Sequence, residues 1–202
     1  MGEKSAYHHG DLRQALIAGA IALITEQDVN SLSLREVARR VGVSHTAPYR
    51  HFQDKEALLA AVAEEGFIGL TAAMNSGIQQ APEQPLKRLE ATGVAYVQFA
   101  IAHPSHYRVM FGSFRGEQTP HPERAQVGWQ AFQVLLNQIE AGQVEKVVRS
   151  GDAMQLAWAA WSTVHGLAML LIDGRLPISQ PSEVEGLAKF VICTLIEGLA
   201  HL

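Results

Sequence analysis

Ser44, His45, Thr46, Tyr49, Arg50, His51 and Lys55 crowd hydrogen-bond donors into one short stretch of a 202-residue chain. Hydroxyls, imidazoles, a phenol, a guanidinium and an ammonium are the groups that meet phosphate oxygens and base edges. The chemistry they suit is non-covalent recognition of DNA. Lys55 follows Asp54, an expected helix cap. A cation in a first helical turn opposes the helix dipole, and it is best tolerated where an anion such as phosphate approaches.

The elements that must position these groups are short. Ser33 with Glu36 forms a capping box, so a helix starts there. Leu34, Val37, Ala38 and Val41 recur at helical spacing, and Ala38 is small enough for another helix to pack closely. Gly42 makes the turn, because a positive φ costs least at Gly. Ser44 is expected to cap a second helix, Ser44 to Phe52, with Pro48 in its first turn, since deeper placement costs about 3 kcal/mol. Two helices joined by a tight turn make a helix-turn-helix. A plain helical hairpin with a Gly turn is common, but the donor-rich surface of the second helix favours DNA binding.

His9-Gly10-Asp11-Leu12-Arg13, Leu34-Arg35-Glu36-Val37-Ala38, Gly42-Val43-Ser44, Tyr49-Arg50-His51-Phe52 and Asp54-Lys55 together resemble the amino-terminal domain of the tetracycline-repressor (TetR/AcrR) family over roughly residues 8 to 66. That resemblance implies an all-α homodimer with a three-helix DNA-binding head and a larger body that binds a small molecule. It implies that Arg35, His45, Thr46 and Tyr49 face base edges or the nearby backbone, and that Tyr49, His51 and Lys55 hold phosphates. Two residues depart from the family pattern. Asp28 stands where a Gly usually ends the first helix, and Pro48 replaces a bulky apolar residue.

Residues 1–56 carry Lys4, Arg13, Arg35, Arg39, Arg40, Arg50 and Lys55 against Glu3, Asp11, Glu26, Asp28, Glu36, Asp54 and Glu56, so the head is neutral and the body holds the whole net charge of −4. Bulk attraction cannot coat DNA with such a chain. Affinity must come from placed donors and from two heads acting together, which fits a specific operator better than architectural binding. With 48% hydrophobic residues the chain can bury a full core. No uninterrupted apolar run reaches membrane-spanning length and no signal peptide pattern opens the chain, so a cytoplasmic protein without membrane partners is expected. A single cysteine, Cys193, lies in an apolar helical pattern and reads as a buried thiol.

About nine helices are expected. The first runs from Asp11, as cap, to Gln27 with Leu12, Leu16, Ala20 and Leu23 inward, and the fourth from Asp54 to Gln79. Others cover Pro85 to His103, Pro104 to Phe111, Pro122 to Lys146 and residues 152 to 172, with a mobile loop from Gly112 to Arg124. The last starts at a capping box of Ser182 and Glu185 and ends near His201. The last two helices are apolar on nearly every side, so they must be covered twice. A two-fold four-helix interface would cover them, with Leu167, Leu187, Val191 and Leu195 as its candidates.

This reading divides the chain into a DNA-binding domain, 1–56, and a regulatory, ligand-binding and dimerisation domain, 57–202. Phe99, His103, Tyr107, Phe111, Trp129, Trp158, Trp161 and His165 are candidates for an apolar and aromatic effector site. Met110, Phe132 and Met169 extend the same lining, which is also what an ordinary core looks like. Trp161 to Gly166 resembles the Trp-His-Gly signature of one carboxy-terminal class in the family, while His165 by itself reads first as a core histidine and second as a pocket contact. His8-His9 and His103 with His106 lack Cys or acid partners at ligand spacing, so no metal is expected. Without a phosphate-cradling Gly loop or a Gly-x-Ser-x-Gly elbow, neither a cofactor nor catalysis is expected. The function expected is a ligand-responsive transcriptional regulator, a repressor on a palindromic operator that a small effector releases. The alternative is a DNA-binding dimer without a small ligand, acting through a protein partner or as an architectural factor.

Overall fold

A computed structural model describes residues 9–112, 122–178 and 180–199. Among them are eight α-helices and no strand: α1 (His9–Glu26), α2 (Leu34–Val41), α3 (Lys55–Gln80), α4 (Pro85–Ala102), α5 (Pro104–Phe111), α6 (Pro122–Val144), α7 (Ala153–Ile172) and α8 (Pro181–Leu199). The expected loop at Gly112 to Arg124 lies largely outside the described residues.

Local chemistry explains several helix ends. Ser33 and Glu36 form the reciprocal capping box at α2, and Gly42 ends that helix at φ 77° with the Val43 amide donating to the Ala38 carbonyl. Asp54 Oδ1 accepts from the Ala57 amide at 2.7 Å and caps α3, while Asp152 caps α7 through the Met154 and Gln155 amides. The link between α1 and α2 is a 3-10 turn, Val29–Ser31. Asp28 caps it from an extended backbone, its carboxylate taking the Asn30 amide at 2.6 Å. An Asx cap therefore replaces the glycine expected there, and no positive φ is needed.

Three expectations are corrected. The segment Ser44 to Phe52 is not an α-helix: the Ala47 amide reaches the Ser44 carbonyl, and Pro48–Arg50 forms a 3-10 turn. Proline removes an amide from a segment too short to hold regular α-helical bonding. Ser44 is accordingly no helix cap, its hydroxyl lying 3.3 Å from that of Thr46. At α8 the helix starts at Pro181, so Glu183 reaches back to the Gln180 amide and Glu185 pairs with Lys189 instead of making a box with Ser182. Likewise α1 begins at His9, which puts Asp11 inside its first turn.

The chain forms two compact units. Among the described residues, the first comprises 9–66 with 105–112 and 122–124, and the second 67–104 with 125–178 and 180–199. The cut thus falls inside α3, after Gly66, where the sequence reading divides the chain at 56/57. In the first unit α1 packs on α2, burying Leu16, Ile17, Ala20 and Ile24 against Leu34, Val37 and Ala38. The close approach uses Gly19, where an added Cβ would lie 2.7 Å from Val41 Cγ2. Helix α5 belongs here because the Ser105 and Thr25 hydroxyls pair at 2.8 Å, His106 meets Glu65, and Gly66 leaves room for Met110.

In the second unit α4 packs on α7 and α8. Leu89, Ile139, Val148, Leu156, Ala157 and Leu199 centre its core, with Leu195 and Trp161 packed against it. Gly93 lets α8 approach, its missing side chain filled by Ile192. Helices α3 and α7 are long and apolar enough to cross a membrane by length and composition. Both also carry buried faces, Leu58, Val62 and Leu70 on α3 and Leu156, Val164 and Ala168 on α7.

Candidate nucleic-acid interface and effector site

In the first unit, α2 and the turn after it expose Arg35, Ser44, His45, Thr46, Tyr49 and Arg50, with Tyr49 at 53%. Buried Pro48 and Phe52 anchor the segment from beneath. The Arg13 guanidinium lies 5.6 Å from the centre of the Phe52 ring and covers its outer side. His51 and Lys55 are placed differently. His51 is half-buried, and its enclosed Nε2 has no hydrogen-bond partner among the described residues. Lys55 donates to the Asn30 carbonyl at 2.8 Å, tying the turn between α1 and α2 to the start of α3. One ammonium has three donors, so two remain for an anion.

Six of the eight effector-site candidates lie in the second unit, and Tyr107 and Phe111 in the first. Tyr107 is completely buried and tilts against Phe111. Within the second unit rings form a ladder: Trp129 stacks on Phe132, Phe132 meets Trp161 edge-on, and Trp161 lies 5.6 Å from His165. Phe99 pairs with His103 at 4.7 Å. Trp158 stands apart, 54% exposed.

The polar centre of this ladder is a residue that the candidate list missed, Tyr96. It is buried on α4, its hydroxyl accepting from Trp161 Nε1 at 3.1 Å and pairing with His165 Nδ1 at 3.2 Å. A signal was present, since Tyr96, Phe99 and His103 follow one another at helical spacing. Burial holds the His165 imidazole below its ordinary pKa, which favours the neutral ring. The Tyr96 hydroxyl and His165 Nδ1 share one hydrogen, and the imidazole tautomer sets which of the two donates it.

The interface candidates also separate. Leu167 is buried within its own chain, and Leu187, Val191 and Leu195 are half-buried. What α7 and α8 expose is a different line: Trp158, Ala159, Ser162 and Leu170 on one, Gly186, Phe190 and Thr194 on the other. Phe190 is 68% exposed, and a Cβ added at Gly166, Gly186 or Gly198 would meet open space.

Two family profiles match the chain. One, described as bacterial regulatory proteins of the tetR family, covers residues 16–62, and the other, described as the tetracyclin repressor-like C-terminal domain, covers residues 89–195. The chain belongs to the TetR family of transcriptional regulators. It is a DNA-binding regulator of all-α fold and not an enzyme. A solved Rhodococcus sp. RHA1 protein of unknown function is 34% identical, with a TM-score of 0.83 over 98% of this chain and 100% of that one. The TetR-family regulator PfmR of Thermus thermophilus shares the fold at 20% identity, with a TM-score of 0.72 over 92% of this chain and 99% of its own. A Haemophilus influenzae HTH-type transcriptional regulator is 39% identical over 83 residues, which are 40% of this chain and only 36% of that relative.

Proposed function

We propose that this TetR-family regulator is an inducible repressor of the cytoplasm, binding a palindromic operator as a homodimer and released by a small apolar or aromatic effector. The observation that carries the reading is the exposed row of Arg35, Ser44, His45, Thr46, Tyr49 and Arg50 on α2 and the turn after it. A neutral head needs two such rows on one duplex face, about 34 to 36 Å apart or a multiple of that. The open face of α7 and α8 supports pairing with a second copy, since Phe190, Leu170 and Trp158 would otherwise stay in water. The ring ladder around Tyr96 supports an aromatic or apolar effector in the second unit, Tyr96 and His165 supplying polar handles.

Helix α3 runs unbroken and gives residues to both units, so it is the element through which an effector would alter the spacing of two heads. An effector acts only by binding the two arrangements unequally, and the coupling is reciprocal. Footprinting the purified protein on the DNA upstream of its own gene identifies the operator. A thermal-shift screen then finds the effector, because a ligand of the native state raises the melting temperature. Operator must weaken effector binding by the factor that effector weakens operator binding. Equal effector affinity with and without operator would leave a DNA-binding dimer without induction. Arg35→Ala and Thr46→Ala should alter preference between operator variants by about 1 to 3 kcal/mol, whereas Tyr49→Phe should weaken all of them alike.

A further inference from the structure

We infer that Arg39, to which neither the motif nor the donor-rich turn assigns a role, is a phosphate contact of the DNA-binding head, whereas its neighbour Arg40 is a purely internal tie. The inference rests on the DNA-binding reading above and deepens it. The last turn of α2 carries two adjacent arginines with opposite employment. Arg40 forks onto Glu26 of α1, Nη1 to Oε2 and Nη2 to Oε1, both at 2.7 Å. That bidentate bond occupies the guanidinium and neutralises it in place. Arg39 is exposed, and among the described residues no hydrogen bond or ion pair engages its guanidinium.

Arg39 follows Arg35 by four residues, which sets the two about 40° apart around the helix and one turn apart along it, while Arg40 is about 100° further round. Arg35 and Arg39 therefore share one outward strip of α2. That strip leads through exposed Gly42 into exposed Ser44, His45 and Thr46, because the Gly42 amide closes onto the Arg39 carbonyl at 3.3 Å. In a helix-turn-helix the first helix crosses the DNA backbone while the following segment enters the groove. The unengaged Arg39 guanidinium, one turn beyond Arg35 on that first helix, is available to a phosphate of the backbone that the helix crosses. The head makes this selection for a reason of charge. Arg40 is matched by Glu26, so a neutral head must displace counterions with its other cations, Arg39 among them.

A cation in the last turn of α2 also suits the helix dipole. That role would appear in thermal unfolding and leave the salt dependence of DNA binding alone. The test is anisotropy of a labelled random-sequence duplex titrated with the full chain across a potassium chloride series, using wild type, Arg39→Gln, Arg39→Lys and Arg40→Gln. The two glutamine variants remove the same charge from adjacent positions. Arg39→Gln should flatten the slope of log K against log salt by about 0.9 per head, or about 1.8 for a dimer seating both. Arg39→Lys should keep the wild-type slope. Arg40→Gln should keep it too, while lowering the thermal midpoint. Equal slopes for Arg39→Gln and Arg40→Gln, or a loss confined to the thermal midpoint, would overturn the assignment. A wild-type protein that binds no duplex even at the lowest salt would instead remove the DNA-binding reading on which it rests.

Discussion

Replacing Tyr96 by Phe tests whether the hydroxyl at the centre of the ring ladder holds α4 to α7. The ring stays, so no cavity opens, and the change is confined to one oxygen. That oxygen accepts from Trp161 Nε1 at 3.1 Å and pairs with His165 Nδ1 at 3.2 Å. Without it the indole N–H loses this acceptor in a part-buried position, and an unsatisfied buried group costs about 1 to 3 kcal/mol. Trp161 and His165 are both half-buried, which moves the expectation toward the lower part of that range, about 1 to 2 kcal/mol. Tyr96→Ala would add a cavity term of several kcal/mol and mask the hydroxyl. The assay is urea unfolding followed by circular dichroism at fixed protein concentration. With a slope on the order of 2.5 kcal/mol per molar, the midpoint should fall by about 0.4 to 0.8 M. Combining Tyr96→Phe with His165→Gln should cost less than the two single losses added, since the residues share a bond. An unchanged midpoint in Tyr96→Phe would refute the reasoning and reduce the triad to ring packing.

His165 supplies a pH dependence whose sign follows from burial. Its folded pKa lies below the ordinary 6.5, so on acidification the unfolded chain takes the proton first; this part of the stability is complete above about 6.5 and is lost as pH falls below it. His165→Gln should flatten that acid-side loss in urea midpoints, and an identical pH profile would discard the assignment. Gly42→Ala should cost about 1 to 2 kcal/mol through backbone strain alone, since φ is +77° and an added Cβ meets nothing; an unchanged urea midpoint would count against a strained turn. Phe190→Glu should yield monomers by light scattering with little change in chain stability, because Phe190 is exposed while a carboxylate buried at a two-fold interface costs several kcal/mol on each side. Leu195→Glu is the poorer probe, as Leu195 packs on the core of its own chain; a dimer surviving Phe190→Glu would place the interface elsewhere.

What could be read from the sequence alone was whatever a few consecutive residues decide among themselves. The Ser33–Glu36 box, the Gly42 turn, the Asp54 cap and the helical periods are contacts within four residues of one another, so residue type and spacing suffice. Tertiary structure decided the rest because the deciding partners are distant in the chain. Thr25 reaches Ser105, and His106 reaches Glu65, which assigns α5 to the first unit although it follows α4 directly. Tyr96 finds Trp161 and His165 only because α4 packs on α7. Arg39 and Arg40 are identical neighbours in the sequence, and only Glu26 on another helix separates their roles. For α7 and α8, apolar on nearly every side, periodicity cannot say which side faces inward. The packing of α4 against them buried Leu167 and left Phe190 outside.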